Sequence, residues 1–184
     1  MTTKKNVITA FFLAVAIILP FFIGQIPQFG KMLSPMHLPI LLTGFICGWP
    51  YGIIIGLIAP LLRSLIFGMP TLPTAIAMAF ELATYGFVAG YMYSKVKNNI
   101  FMIYATLITS IIAGKIVWGI ARFCLVQILG IKFSLSIFFY VGFIMGAPGI
   151  ILQLLIIPLI LTKLQKYNLI SLDNNPREGL KNGW

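Results

Sequence analysis

The stretch Ile100–Leu129, IFMIYATLITSIIAGKIVWGIARFCLVQIL, decides the fold class. It exceeds the roughly 20 apolar residues that carry a helix across a bilayer, and its only charges are Lys115 and Arg122. The rest of the chain repeats the theme. Of its 184 residues, 60% are hydrophobic and 9% charged, and the mean hydropathy is +1.02. An ordinary soluble domain is roughly 25% charged. A single core in a chain of this size cannot hide so much apolar surface from water, so the solvent for that surface is lipid.

Five further apolar runs flank this one. Before it lie about Asn6–Gly24, His37–Trp49, Tyr51–Phe67 and Thr74–Tyr93, and after it about Ser134–Leu161. Polar and turn-forming residues separate them: Gln25 to Pro35, Gly48-Trp49-Pro50, Gly68-Met69-Pro70 with Pro73, Lys95 to Asn99, and Gly130 to Lys132. A polar tail, 162–184, closes the chain. The run from His37 is too short to cross upright, so it is tilted or buried inside the bundle. The break at Pro50 makes it a separate helix. The expectation is an all-α integral membrane protein with six transmembrane helices in a single domain over 1–184.

Basic residues orient the bundle, because cytoplasmic loops carry the excess of Lys and Arg. Six crossings put Lys4, Lys5, Lys95, Lys97, Lys163, Lys166, Arg177 and Lys181 on one side, and only Lys31 and Lys132 in loops on the other. Both termini are therefore expected in the cytoplasm. The net charge of +10 does not indicate nucleic acid, because the basic residues lie singly or in pairs between apolar runs. Cys47 and Cys124 fall inside apolar segments and read as packing residues. No small-residue cleavage site follows the first run, which argues against a secretory signal.

Four charges lie within or near the ends of the spans: Arg63, Glu81, Lys115 and Arg122. A charge at mid-bilayer costs at least about 2.5 to 3.5 kcal/mol, so each needs a partner, water or a ligand. By the expected orientation all four belong to the middle or outer half, with Lys115 about 10 Å deeper than Arg122 at the helical rise. Lys115, Trp118 and Arg122 share one helical face at i, i+3, i+7, and Glu81 and Tyr85 another at i, i+4. Three cations face one carboxylate. An anionic ligand entering from outside would supply the missing counter-charge. In the plainer reading, Glu81 pairs with one cation while Arg63 and Arg122 snorkel to headgroups. His37 is either a helix-end residue or a ligand contact. Trp118, Tyr85 and Tyr140 can stack on a ligand or simply anchor the helices.

Small residues pair at four-residue spacing in Ala10 and Ala14, Gly52 and Gly56, and Gly86 and Gly90, all expected in the cytoplasmic half. Such pairs let helices approach closely, within one chain or between chains. Gly142 and Gly146 lie in the outer half, where they leave room for a ligand. Catalytic signatures are missing. Gly114-Lys115 is followed by Ile116, so no phosphate-binding loop is formed. The sequence shows no His/Cys metal spacing, nucleophile elbow or paired catalytic carboxylates. No cofactor or metal is expected. Nor are there two matched halves with broken helices, the mark of a secondary transporter.

Several motifs carry a family likeness: Ala10-x-x-x-Ala14, Leu33-Ser-Pro-Met-His-Leu-Pro-Ile40, Gly44-Phe-Ile-Cys-Gly48, Leu61-Leu-Arg-Ser-Leu-Ile-Phe-Gly-Met-Pro70 and Ala77-Met-Ala-Phe-Glu-Leu-Ala-Thr-Tyr-Gly86. On these the chain resembles the substrate-binding S components of energy-coupling factor (ECF) vitamin transporters, and most of all those assigned to pantothenate. The resemblance implies a bacterial cell-membrane protein that captures a vitamin outside. It would deliver that vitamin with a membrane coupling subunit and two cytoplasmic ATPases, which hydrolyse the ATP. It also implies that Ala10 and Ala14 meet the coupling subunit, and Gly52, Gly56, Gly86 and Gly90 are assigned to the same face. His37, Arg63, Glu81, Tyr85, Lys115, Trp118, Arg122 and Gln153 are the candidate substrate contacts. Arg63 or Arg122 would hold a carboxylate, and Glu81, Tyr85 or Gln153 hydroxyl or amide groups. Nicotinate fits the same charge; a hydroxymethylpyrimidine or pyridoxine would leave the excess positive charge unexplained. A structural membrane protein without a solute is the alternative from another class.

Overall fold

The computed structural model describes residues 2–24, 35–95, 99–128 and 146–166. They form six helices: α1 (Thr2–Gly24), α2 (His37–Cys47), α3 (Trp49–Phe67), α4 (Leu72–Lys95), α5 (Ile100–Ile128) and α6 (Ala147–Lys166). All but α2 are long and apolar enough to cross a membrane. Their outward surfaces are apolar too, with Val7, Ile54, Leu65, Phe80, Ile112 and Leu155 among the exposed side chains. In water such a surface would be a liability; against acyl chains it is the expected finish. The chain is a multi-pass membrane protein.

The shortest helix lies deepest. At the helical rise α2 is about 16 Å long, near half the hydrocarbon thickness. Its sequence, HLPILLTGFIC, is apolar nearly all round, and ten of its 11 residues are buried. A helix apolar on every side belongs inside a bundle, and α2 packs against α1, α3, α4 and α6. Gly48, at φ 100°, turns the chain from α2 into α3. That backbone conformation favours glycine, and Pro50 then sits in the first turn of α3, where its missing N–H costs nothing.

Side-chain pairs fix the direction of every helix. Phe21 meets Phe67 edge-on at 4.5 Å, so α1 and α3 run parallel. His37 lies beside Tyr85 and Phe45 beside Tyr93, so α2 parallels α4. α3 and α5 run against α4, while Gln165 Nε2 donates to Tyr93 Oη at 2.6 Å and aligns the end of α6 with the end of α4. Lys4, Lys5, Lys95, Lys163 and Lys166 therefore gather at one end of the bundle, here called the lysine end. Arg63 and Arg122 lie toward the opposite, arginine end.

Helix bounds depart from expectation in informative ways. α1 begins at Thr2 rather than Asn6, α4 at Leu72 rather than Thr74, and α6 ends at Lys166 rather than Leu161. Pro73 opens α4 instead of breaking the chain, because the first helical turn needs no intrahelical N–H. Lys163 and Lys166 belong to the last turn of α6, where cations suit the helix dipole, and not to the tail. Pro20, Pro60 and Pro158 are all accommodated inside helices. The expected start of the last helix at Ser134, with Lys31, Lys132, Tyr140, Gly142 and the tail from 167, lies outside the described residues.

The glycine pairs pack helix against helix within the chain. A Cβ on Gly52 would stand 2.6 Å from Gly86 O, one on Gly56 2.4 Å from Ala83 N, and one on Gly90 2.3 Å from Trp49 N. All four glycines are buried. They close the seam between α3 and α4, and Gly44 brings α2 to the same point, its Cβ position 2.6 Å from Gly86 O. Gly52, Gly56, Gly86 and Gly90 thus serve packing within the chain. Ala10 and Ala14 differ. Both are exposed, on the stripe of α1 that also shows Val7, Phe11 and Ile18.

Candidate functional site

The site is built around Glu81, on the inward face of α4 and 2% exposed. Tyr85, one turn along the same helix, donates its hydroxyl to Glu81 Oε1 at 2.9 Å. Lys115 reaches the same oxygen from α5 at 2.7 Å, and His37 Nε2 lies 3.6 Å from it at the start of α2. Three helices thus bring their polar groups to one carboxylate oxygen. The other, Oε2, makes none of these contacts. An ion pair this buried holds only with good geometry and added hydrogen bonds, and the tyrosine hydroxyl supplies one.

Packing sets the cluster's shape. The Tyr85 ring is 1% exposed and lies 5.4 Å from the His37 ring, centroid to centroid. It fits there because α5 carries glycine at position 114. A Cβ on Gly114 would fall 1.9 Å from Tyr85 Cε1. The sequence offered a signal for this residue, since glycine inside a helix costs about 1 kcal/mol against alanine and so tends to have a packing reason. Trp118 forms a further wall, with Lys115 Nζ 5.5 Å from its ring centre.

The two arginines lie outside this cluster. Arg122 continues the Lys115–Trp118 stripe two turns toward the arginine end, about 10 Å along α5. Its Nη1 donates to Thr74 Oγ1 at 3.1 Å, and Thr74 is in turn two turns from Glu81 on α4. Thr74 was not foreseen; its seven-residue offset from Glu81 was the available signal. Arg63 points the other way, toward α1. Its Nη1 donates to Ile17 O at 3.0 Å and its guanidinium lies 5.3 Å from the Phe21 ring centre.

Gln153 is 2% exposed on α6, and its Oε1 has no hydrogen-bond partner among the described residues. α6 packs on α2 and α5, the helices of His37 and Lys115. A buried acceptor left open is costly unless something supplies a donor. His37, Glu81, Tyr85, Lys115 and Trp118 are thus brought together. Arg122 lies along the same stripe, Gln153 is buried on a neighbouring helix, and Arg63 belongs to a different interface.

Glu81 is engaged by a lysine, a tyrosine and a histidine, and among the described residues no three His, Cys, Asp or Glu side chains gather as a metal site. A groove of about 350 Å³ between α4 and α5 is a different feature. Ile76, Phe80, Ile120 and Ile128 line it, and Phe80, Ile120 and Ile128 are exposed, so it opens on the apolar surface.

Residues 4–161 match a family model described as "ECF transporter, substrate-specific component". The match covers the bundle from the first turn of α1 to the last turns of α6. No match was found among curated proteins or among solved structures.

Proposed function

The chain belongs to the substrate-specific components of ECF transporters, and from that premise we propose that it captures a small anionic vitamin, pantothenate by preference, at the external side of the bacterial cell membrane. Membership makes it a non-catalytic transport subunit that works with an ECF module. Delivery would follow with a membrane coupling subunit and two cytoplasmic ATPases. The lysine end would face the cytoplasm, since Lys4, Lys5, Lys95, Lys163 and Lys166 collect there.

One observation carries the choice of an anion. The chain has three acidic residues, Glu81, Asp173 and Glu178. Glu81 is engaged by Lys115, and the other two lie in the tail beyond the last helix. Among the described residues Arg122 therefore meets no carboxylate, and its Nη1 donates to the neutral hydroxyl of Thr74. A ligand carboxylate there would form a charge-assisted, bidentate bond. Between the two arginines we favour Arg122, because it shares the inward stripe of Lys115 and Trp118 whereas Arg63 is turned to α1.

The rest of pantothenate suits the stripe below. Its hydroxyl end and its carboxylate stand roughly 7–10 Å apart by extended-chain dimensions, comparable to the ~10 Å between Arg122 and Lys115. Hydroxyl and amide groups would meet Glu81, Tyr85 and the open Gln153 Oε1. Nicotinate, with a ring nitrogen as its other polar group, brings no donor to these acceptors. A neutral hydroxymethylpyrimidine or pyridoxine leaves Arg122 unmatched. The exposed Ala10–Ala14 stripe of α1 is the surface we assign to the coupling subunit, because small residues permit close helix approach.

Calorimetric titration of the purified protein in detergent tests the substrate. Pantothenate should bind tightly, and pantothenol, its uncharged alcohol, much more weakly. Folded protein that binds neither removes pantothenate, and the other vitamins are then titrated in turn.

A further inference from the structure

We infer that Arg63 is a tether rather than a substrate ligand: it fastens the proline-bearing turn of α1 to α3 and so sets the pose of the helix whose alanine face is exposed. Pro20 lies inside α1. It has no N–H for the Ala16 carbonyl, and its ring crowds that carbonyl, which loosens the turn. One residue on, Ile17 O accepts from Arg63 Nη1 at 3.0 Å. A guanidinium thus crosses from α3 to the backbone of the weakened turn. The same group lies 5.3 Å from the Phe21 ring centre, within cation–π range, and Phe21 packs edge-on against Phe67 of α3 at 4.5 Å.

α1 has need of such a fastening. Only 11% of its span is buried, against 44% for α4. It lacks the glycine seam that locks α3 to α4. Toward the lysine end its described polar link to the bundle is a weak contact of Cys47 Sγ with Lys5 O at 3.8 Å. Arg63 supplies a charge-assisted bond to backbone and a stacked face at once, which lysine, a point charge without a planar fork, cannot do together. The exposed Ala10 and Ala14 lie on the same helix, about two turns and one turn from Ile17. Any consequence for docking rests on the role proposed for that face; the tether itself does not.

Spin labels at Ile18→Cys and Leu65→Cys, both exposed positions, in a Cys47→Ala, Cys124→Ser background, measure the α1–α3 distance directly. Arg63→Gln should lengthen and broaden it, and Arg63→Lys and Phe21→Leu should do so in part while keeping the fold. Pantothenate affinity should stay within about twofold in all three, as for sites with no shared partner. Assembly with the ECF module should weaken in the order in which the distance broadens. An unchanged distance in Arg63→Gln overturns the tether, as does an affinity loss in Arg63→Lys matching that of Arg122→Gln. If the parent protein binds no pantothenate, the substrate reading fails separately, and the distance measurement still decides the tether.

Discussion

Glu81 is the residue on which the polar interior depends. Removing either member of a buried pair leaves an uncompensated charge, a loss of about 3–5 kcal/mol. Glu81→Gln and Lys115→Met should therefore each lower the unfolding temperature in detergent sharply. The double variant should recover much of that loss, because neither charge remains. Equal losses in the singles and a larger one in the double would mean that the two residues stabilise the bundle independently. The elements of this cluster were legible in the sequence, since Glu81 with Tyr85 and Lys115 with Trp118 have helical spacing and charges inside apolar runs stand out. Their pairing was not. With three cations near one carboxylate, spacing along each helix cannot say which cation crosses to it; that depends on the register of α4 against α5, which Gly114 and Tyr85 help to set.

At the scale of elements, the same small-residue pattern has two different meanings. Gly52, Gly56, Gly86 and Gly90 are enclosed between α3 and α4, whereas Ala10 and Ala14 lie open on α1. Sequence spacing reports that a close approach is possible and is silent on what approaches. Gly86→Ala would place a Cβ 2.4 Å from Gly52 C, so it should destabilise the bundle by about 1–3 kcal/mol, as overpacking does; unfolding in detergent measures it. Ala14→Trp, on the exposed stripe, should leave stability and ligand affinity unchanged and block co-purification with the ECF module. Retained assembly in Ala14→Trp would remove α1 from the docking surface. Helix α2 makes a related point. Its length and hydropathy marked it as odd, yet its place at the centre follows from the glycine contacts around Gly44 and Gly86, which no periodicity encodes.

The whole molecule divides along its long axis. Among the described residues, Lys4, Lys5, Lys95, Lys163 and Lys166 occupy one end, and Arg63 and Arg122 lie toward the other, separated from them by an apolar middle that holds the buried Glu81–Lys115 pair. Hydropathy revealed six helices because each is bounded by turn residues or charges. Helix direction then followed from alternation, and Phe21–Phe67, Phe45–Tyr93 and Gln165–Tyr93 agree with it. Chemistry at the arginine end is the central claim, and one thermodynamic cycle tests it most directly: pantothenate and pantothenol titrated calorimetrically into the parent protein and into Arg122→Gln. A hydrogen bond to a charged group is worth about 1.5–3 kcal/mol, which corresponds to roughly 10- to 150-fold in Kd. The parent should prefer the acid over the alcohol by that factor, and Arg122→Gln should bind the two about equally. An undiminished preference for the acid in Arg122→Gln would contradict the account and place the carboxylate elsewhere in the bundle.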